Sequence, residues 1–265
     1  MGSEDRKKYM IISHKHKFIF LHTPKAAGSS ISVSLCRYLD PDDIMLGSTM
    51  DCLSFNIKPP RRMVRQAVFC PSIQTGIATL IRARSFWQFV SSSNKKHYKR
   101  ILGAHPEHAD IASIGQAFPG IWHDYEKLVV TRNPWDRIAS EYFWRVRNLK
   151  RAPAFTDYLR LVAGEIDELH GLDRLPLGWD YVHHEAYGSV DYVIRFDCLH
   201  SHLGQALRQI GVPWDGWLPS VKRRNNCSVT DKYTNSIYCR SDVEKVFKLC
   251  RSEIETYGYS FEGLL

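Results

Sequence analysis

A short apolar strand that runs into a polar turn and then an amphipathic helix occurs twice in this chain, and this repetition narrows the fold more than any other feature. In the first copy, residues 17–21 (KFIFL) are rich in aromatic and β-branched side chains, which predicts a buried strand. A turn containing Pro24 and Gly28 follows. Ile31, Leu35 and Leu39 then recur at i, i+4 and i+8, with Val33 and Cys36 beside them, which predicts a helix beginning near Ser29. In the second copy, residues 126–131 (EKLVVT) lead through Arg132-Asn133-Pro134 to Ile138, Tyr142, Val146 and Leu149 at helical spacing. Short apolar runs at 66–70, 100–104 and 192–196 are expected strands, and 199–210 and 241–257 are expected helices. Residues 40–65, with Pro41, Pro59 and Pro60, read as connection. Such alternation predicts an α/β, three-layer fold with a mainly parallel central sheet flanked by helices.

A length of 265 residues with 44% hydrophobic content supports a continuous core, and residues 1–265 are expected to form a single domain. Lys and Arg outnumber Asp and Glu by 36 to 28, so the surface favours anionic ligands. The seven cysteines are widely spaced without a C-x-x-C pair, which argues against a zinc or redox centre, and no metal is expected. No apolar run approaches the roughly 20 residues needed to span a bilayer. The N-terminus is polar, and a cytoplasmic location is expected.

The first turn reads His22-Thr23-Pro24-Lys25-Ala26-Ala27-Gly28-Ser29-Ser30. At a strand-to-helix turn, backbone N–H groups and the positive end of the helix dipole converge, and phosphate or sulfate binds there readily. Ala26, Ala27 and Gly28 let the backbone approach an anion, Lys25 supplies a mobile cation, and Ser29 and Ser30 supply hydroxyls. The order differs from G-x-x-x-x-G-K-[ST], because Lys25 precedes Gly28 by three residues. That weakens an ATPase or kinase reading. In the second turn, Arg132 at the strand end and Ser140 in the helix are placed to share one ligand, a planar fork for a phosphate and a neutral donor.

Together the turns resemble a known family. T-P-K-x-x-G-[ST]-S resembles the 5'-phosphosulfate loop of sulfotransferases that use 3'-phosphoadenosine 5'-phosphosulfate (PAPS), and R-N-P-W-D-R-x-x-S-x-Y resembles their 3'-phosphate motif. Lys25 and Arg132 stand 107 residues apart in the expected order. The strand-and-His segment at 101–105, the segment YVIRFDCL at 192–199 and KRRNN at 222–226 extend the likeness along the chain. The wording is nearer the carbohydrate-type and bacterial branch than the cytosolic phenol and steroid branch. The resemblance implies a P-loop-NTPase-like fold and transfer of a sulfuryl group from PAPS, without a metal, to a hydroxyl or amine of a glycan or small-molecule acceptor. 3',5'-ADP would be the product.

On this resemblance, Thr23, Lys25, Ala26, Ala27, Gly28, Ser29 and Ser30 cradle the 5' end of the donor, with Lys25 on the leaving group. Arg132 and Ser140 take the 3'-phosphate, and Arg223 and Arg224 close over the nucleotide. His105 is the expected general base, because it follows the predicted strand at 100–104 and so falls at the carboxyl edge of the sheet. His108 is the nearby alternative. Two other classes stay open, a P-loop-type nucleotide kinase and a noncatalytic module that binds anions or sulfated glycans. No nucleic-acid-binding pattern stands out, and the sequence fixes no oligomeric state.

Overall fold

The computed structural model describes residues 10–69, 85–103, 106–221 and 236–261. Strands β1 (Met10–Ser13), β2 (Phe18–Leu21), β3 (Ile44–Leu46), β4 (Glu126–Thr131) and β5 (Tyr192–Arg195) form one sheet in the order β3-β1-β2-β4-β5. The β2–β4 and β4–β5 pairs are parallel, and β1 runs antiparallel to both β2 and β3. Four strands therefore share one direction and β1 opposes them. Two short ribbons, Glu168–Leu169 with Leu172–Asp173 and His183–His184 with Gly188–Ser189, lie outside this sheet.

The helices are α1 (Gly28–Cys36), α2 (Thr49–Ser54), α3 (Arg61–Val68), α4 (Phe86–Leu102), α5 (Ile111–Ala117), α6 (Pro119–Asp124), α7 (Pro134–Val146), α8 (Phe155–Ala163), α9 (Leu199–Ile210), α10 (Arg240–Leu249) and α11 (Arg251–Tyr257). Alternate side chains of the central strands enter different cores, as the two-residue period of a strand requires. Phe18, Phe20, Leu128 and Val130 pack with Ile31 and Leu35 of α1 and Leu203 and Leu207 of α9. Ile19, Leu21 and Val129 pack on the other face with Tyr98 and Leu102 of α4, Ile111 of α5 and Trp122 of α6. Helices thus cover both faces of the sheet, which is the expected three-layer arrangement. A third cluster joins α7, α8, α10 and α11 through Ile138, Tyr142, Tyr158, Val246 and Ile254.

Three expectations fail in the region between the two strand-turn-helix units. Residues 66–69 of the 66–70 run form no strand, because 66–68 end α3, where Met63 and Ala67 are buried at i, i+4 after Pro60, and Cys70 lies outside the described residues. Residues 100–102 likewise form the last turn of α4, whose buried Val90, Asn94, Tyr98 and Leu102 recur every fourth residue. Helical periodicity overrides a short apolar run when the window is widened. Finally, 40–65 contains β3, α2 and the start of α3 rather than plain connection.

Behind the second turn lies a buried ionic cluster. Arg137, 1% exposed, faces Glu253 at 3.9 Å and Glu141 at 4.0 Å. The Thr131 hydroxyl donates to Glu253 at 2.8 Å and the Tyr158 hydroxyl to Glu141 at 2.6 Å. The cluster ties the end of β4 to α7, α8 and α11. Glu141 keeps the Arg145 guanidinium at 3.4 Å, but Arg137→Ala leaves the Glu253 carboxylate without one in a dry interior, so the variant should lose about 3 kcal/mol of stability. Urea unfolding checks this, and an unshifted midpoint would contradict it.

Candidate active site

The first turn is held in a conformation that ordinary residues seldom adopt. Lys25 and Ala27 have φ of 64° and 57°, and the Ala26 amide donates to the Thr23 carbonyl at 3.3 Å. Such left-handed positions cost on the order of 1 kcal/mol each and persist where surrounding structure fixes them. Ala27 is the N-cap of α1 and supplies no side-chain cap, and the Ile31 amide donates to the Ala27 carbonyl at 3.2 Å. The amides of Gly28, Ser29 and Ser30 therefore lie ahead of the helix's own hydrogen-bond ladder, where an anion is favoured. Gly28 is required for a reason the sequence did not expose. A Cβ there would stand 1.8 Å from the His22 ring.

The second turn reaches across to the first. Arg132 donates from Nη1 to the Lys25 carbonyl at 2.5 Å and from Nε to Asp136 at 2.6 Å, with its guanidinium 4.3 Å from the centre of the Phe196 ring. Asp136, Ser140 and Trp144 follow one another at i, i+4 along α7 and so share one side of it. The Lys25 ammonium lies 4.6 Å from the centre of the Trp144 ring. Ser140, half-buried, is thus bracketed by two side chains that engage Arg132 and Lys25. The two predicted phosphate groups of residues meet at one place.

A histidine pair closes the other side of the loop. His108, 6% exposed, bonds through Nδ1 to the His22 carbonyl at 3.0 Å and stacks on the His22 ring at 5.0 Å. A carbonyl only accepts, so Nδ1 carries the proton and the lone pair of the neutral ring sits on Nε2. The Tyr181 hydroxyl donates to the His108 carbonyl at 3.0 Å, which fixes the backbone.

Of the residues expected from sequence, Thr23, Lys25, Ala26, Ala27, Gly28, Ser29, Ser30, Arg132 and Ser140 lie in or beside this arrangement. His105, Arg223 and Arg224 lie outside the described residues. The reason for choosing His105 needs correction, since α4 rather than a strand precedes it. The Val221 amide donates to the Ser30 hydroxyl at 3.3 Å, which brings the chain to the loop two residues before Arg223.

A family model described as the sulfotransferase family matches residues 8–260. The chain belongs to the sulfotransferase family. Neither the curated proteins nor the solved structures give a match. Membership makes the protein a transferase that moves sulfuryl groups, and both strand-turn-helix units of the site fall within the matched residues. Among the described residues, no group of three or more His, Cys, Asp and Glu is placed to hold a metal, and no helix is long and apolar enough to cross a membrane.

Sequence reasoning also missed how the sulfotransferase distributes its charge. Residues 52–106 contain ten Lys and Arg and neither Asp nor Glu, whereas the rest of the chain holds 26 Lys and Arg against 28 Asp and Glu. All the excess positive charge therefore belongs to one stretch. Its described basic residues lie just ahead of α3, on α3 and on α4, and α4 runs towards the segment that carries His108. Counting charge by segment rather than by chain would have found it.

Proposed function

We propose that the protein transfers a sulfuryl group from PAPS to a hydroxyl of a negatively charged glycan. The observation that carries the donor assignment is the 2.5 Å bond from Arg132 to the Lys25 carbonyl, which joins a 3'-phosphate motif to a 5'-phosphosulfate loop. An ATP-dependent kinase has no use for a second phosphate site at the sugar's 3' position. The α1 amides and the Ser29 and Ser30 hydroxyls hold the 5'-phosphate, and the outer edge of Arg132 with Ser140 holds the 3'-phosphate.

The acceptor oxygen forms its bond to sulfur as the bond from sulfur to the bridging phosphate oxygen breaks, and 3',5'-ADP departs. Lys25 balances charge on that departing oxygen. The acceptor's proton passes to a histidine, which we assign as His108, because its Nδ1 bond to His22 leaves Nε2 basic and its position adjoins the loop. His105 is the alternative base. An amine acceptor would attack as the free base and need neither.

3',5'-ADP should raise the melting temperature by several degrees at saturating concentration, and ATP should do much less, because ligand bound to the native state stabilises it. Equal shifts from both nucleotides would remove the PAPS assignment. The negative acceptor is argued from the ten Lys and Arg that residues 52–106 carry without an Asp or Glu of their own, although Arg65 pairs with Asp42 from outside the stretch. Raising ionic strength from about 0.05 to 0.3 M should weaken an anionic acceptor about tenfold in KM while leaving a neutral one nearly unchanged, because salt screens surface attraction within a few ångströms. A KM indifferent to salt would favour a neutral substrate.

A further inference from the structure

We infer that Trp144 is a positioning residue for Lys25, holding the ammonium over its indole face while Arg132 fixes the lysine's backbone. The inference rests on the sulfotransferase reading for its catalytic consequence, though not for the contact. Lys25 is restrained at two points by the same β4–α7 unit. Its carbonyl accepts from Arg132 at 2.5 Å, and its Nζ lies 4.6 Å from the Trp144 ring centre. Lys25 also has φ of 64°, so its backbone stands in the left-handed region within the same turn as Ala27.

The ring itself is pinned. The Arg147 guanidinium lies 3.4 Å from the Trp144 ring centre and donates from Nη1 to the Trp144 carbonyl at 2.7 Å, so the platform is fixed by its own helix end. A lysine on a four-carbon stem samples many rotamers, and an indole face removes that freedom without neutralising the charge, as a carboxylate partner would. Charge retained and direction fixed are what a group needs if it is to follow a departing phosphate oxygen. Trp144 is half-buried, which makes its replacement compatible with folding.

The test compares Trp144→Phe and Trp144→Leu in the full chain. Phe keeps a weaker quadrupole and Leu keeps only bulk, so a cation-binding role predicts the order Trp, Phe, Leu, whereas mere packing predicts no such order. In protein labelled with carbon-13 lysine, the Lys25 side-chain protons, assigned with Lys25→Arg, should be shifted upfield by the indole ring current. That shift should shrink in Trp144→Phe and vanish in Trp144→Leu. Release of 3',5'-ADP from PAPS, to added polygalacturonate or to water, should fall about tenfold in Trp144→Leu and less in Trp144→Phe, with KM for PAPS little changed. Should Trp144→Leu unfold, the partial shift and partial loss in Trp144→Phe carry the same test. A Lys25 resonance unmoved by either substitution, or Leu turning over as fast as wild type, would overturn the inference. Failure of the wild type to bind 3',5'-ADP would instead sink the PAPS reading, and the resonance would still decide the contact.

Discussion

Lys25→Met should turn over PAPS on the order of a thousandfold more slowly than wild type at saturating donor, while still binding 3',5'-ADP. Methionine keeps the stem and the volume, so the loss isolates the ammonium. The size follows from the role. A positive group that strengthens its contact as charge develops on the departing oxygen acts on the transition state more than on the ground state, and the deficit appears in kcat rather than KM. The loop proposed to bind nucleotide is built from the amides of α1 and from Arg132, none of which the substitution removes. Stopped-flow or steady-state release of 3',5'-ADP measures the effect, and calorimetric titration measures the binding that should survive. A variant that loses binding and turnover together would show that Lys25 holds the nucleotide rather than the leaving group.

The second large effect concerns the base. His108→Asn should lose at least a hundredfold in turnover, the usual scale for general base catalysis, and retain its KM for PAPS. Asparagine is chosen because its amide can still donate to the His22 carbonyl where Nδ1 does now, at 3.0 Å. A base must be neutral to accept the acceptor's proton, so wild-type activity falls as pH drops and the histidine becomes charged. That acid limb should disappear in His108→Asn. If His105→Ala shows the loss and His108→Asn does not, the proton goes to His105, and His108 serves to hold His22 beneath Gly28.

Both turns were legible in the sequence because each combines a buried strand with a helix whose apolar stripe is regular. Phe18 to Leu21 and Leu128 to Val130 are buried on both faces of the sheet, so their apolar runs could not be mistaken for solvent-facing segments. The region between the units was misread for the opposite reason. Apolar residues at 66–70 and 100–104 form short runs that suit a strand locally, and the helical period emerges only across Phe86–Leu102 taken whole. The antiparallel β1, with one burial pattern through Met10–Ser13, carries no turn signal that separates it from the strand that follows.

The site was legible as two lists of residues but not as one place. Nothing in the spacing of Lys25 and Arg132 tells that a guanidinium bonds a carbonyl 107 residues away, because backbone acceptors have no sequence signature. Trp144 was hidden in the same way. It sits on α7 beside the apolar stripe, and only the fold brings Lys25 over it. His22 read only as the first residue of the turn, yet its ring fills the space that makes Gly28 necessary.

The most direct measurement of the central claim is transfer of radioactive sulfur from labelled PAPS, with a polyuronate and a neutral dextran offered side by side. The account predicts label on the polyuronate, 3',5'-ADP released in equal amount, and loss of both in Lys25→Met. Nucleotide bound at the site with no label transferred to either polymer and no 3',5'-ADP formed would contradict it, and would leave a module that binds anions without catalysis.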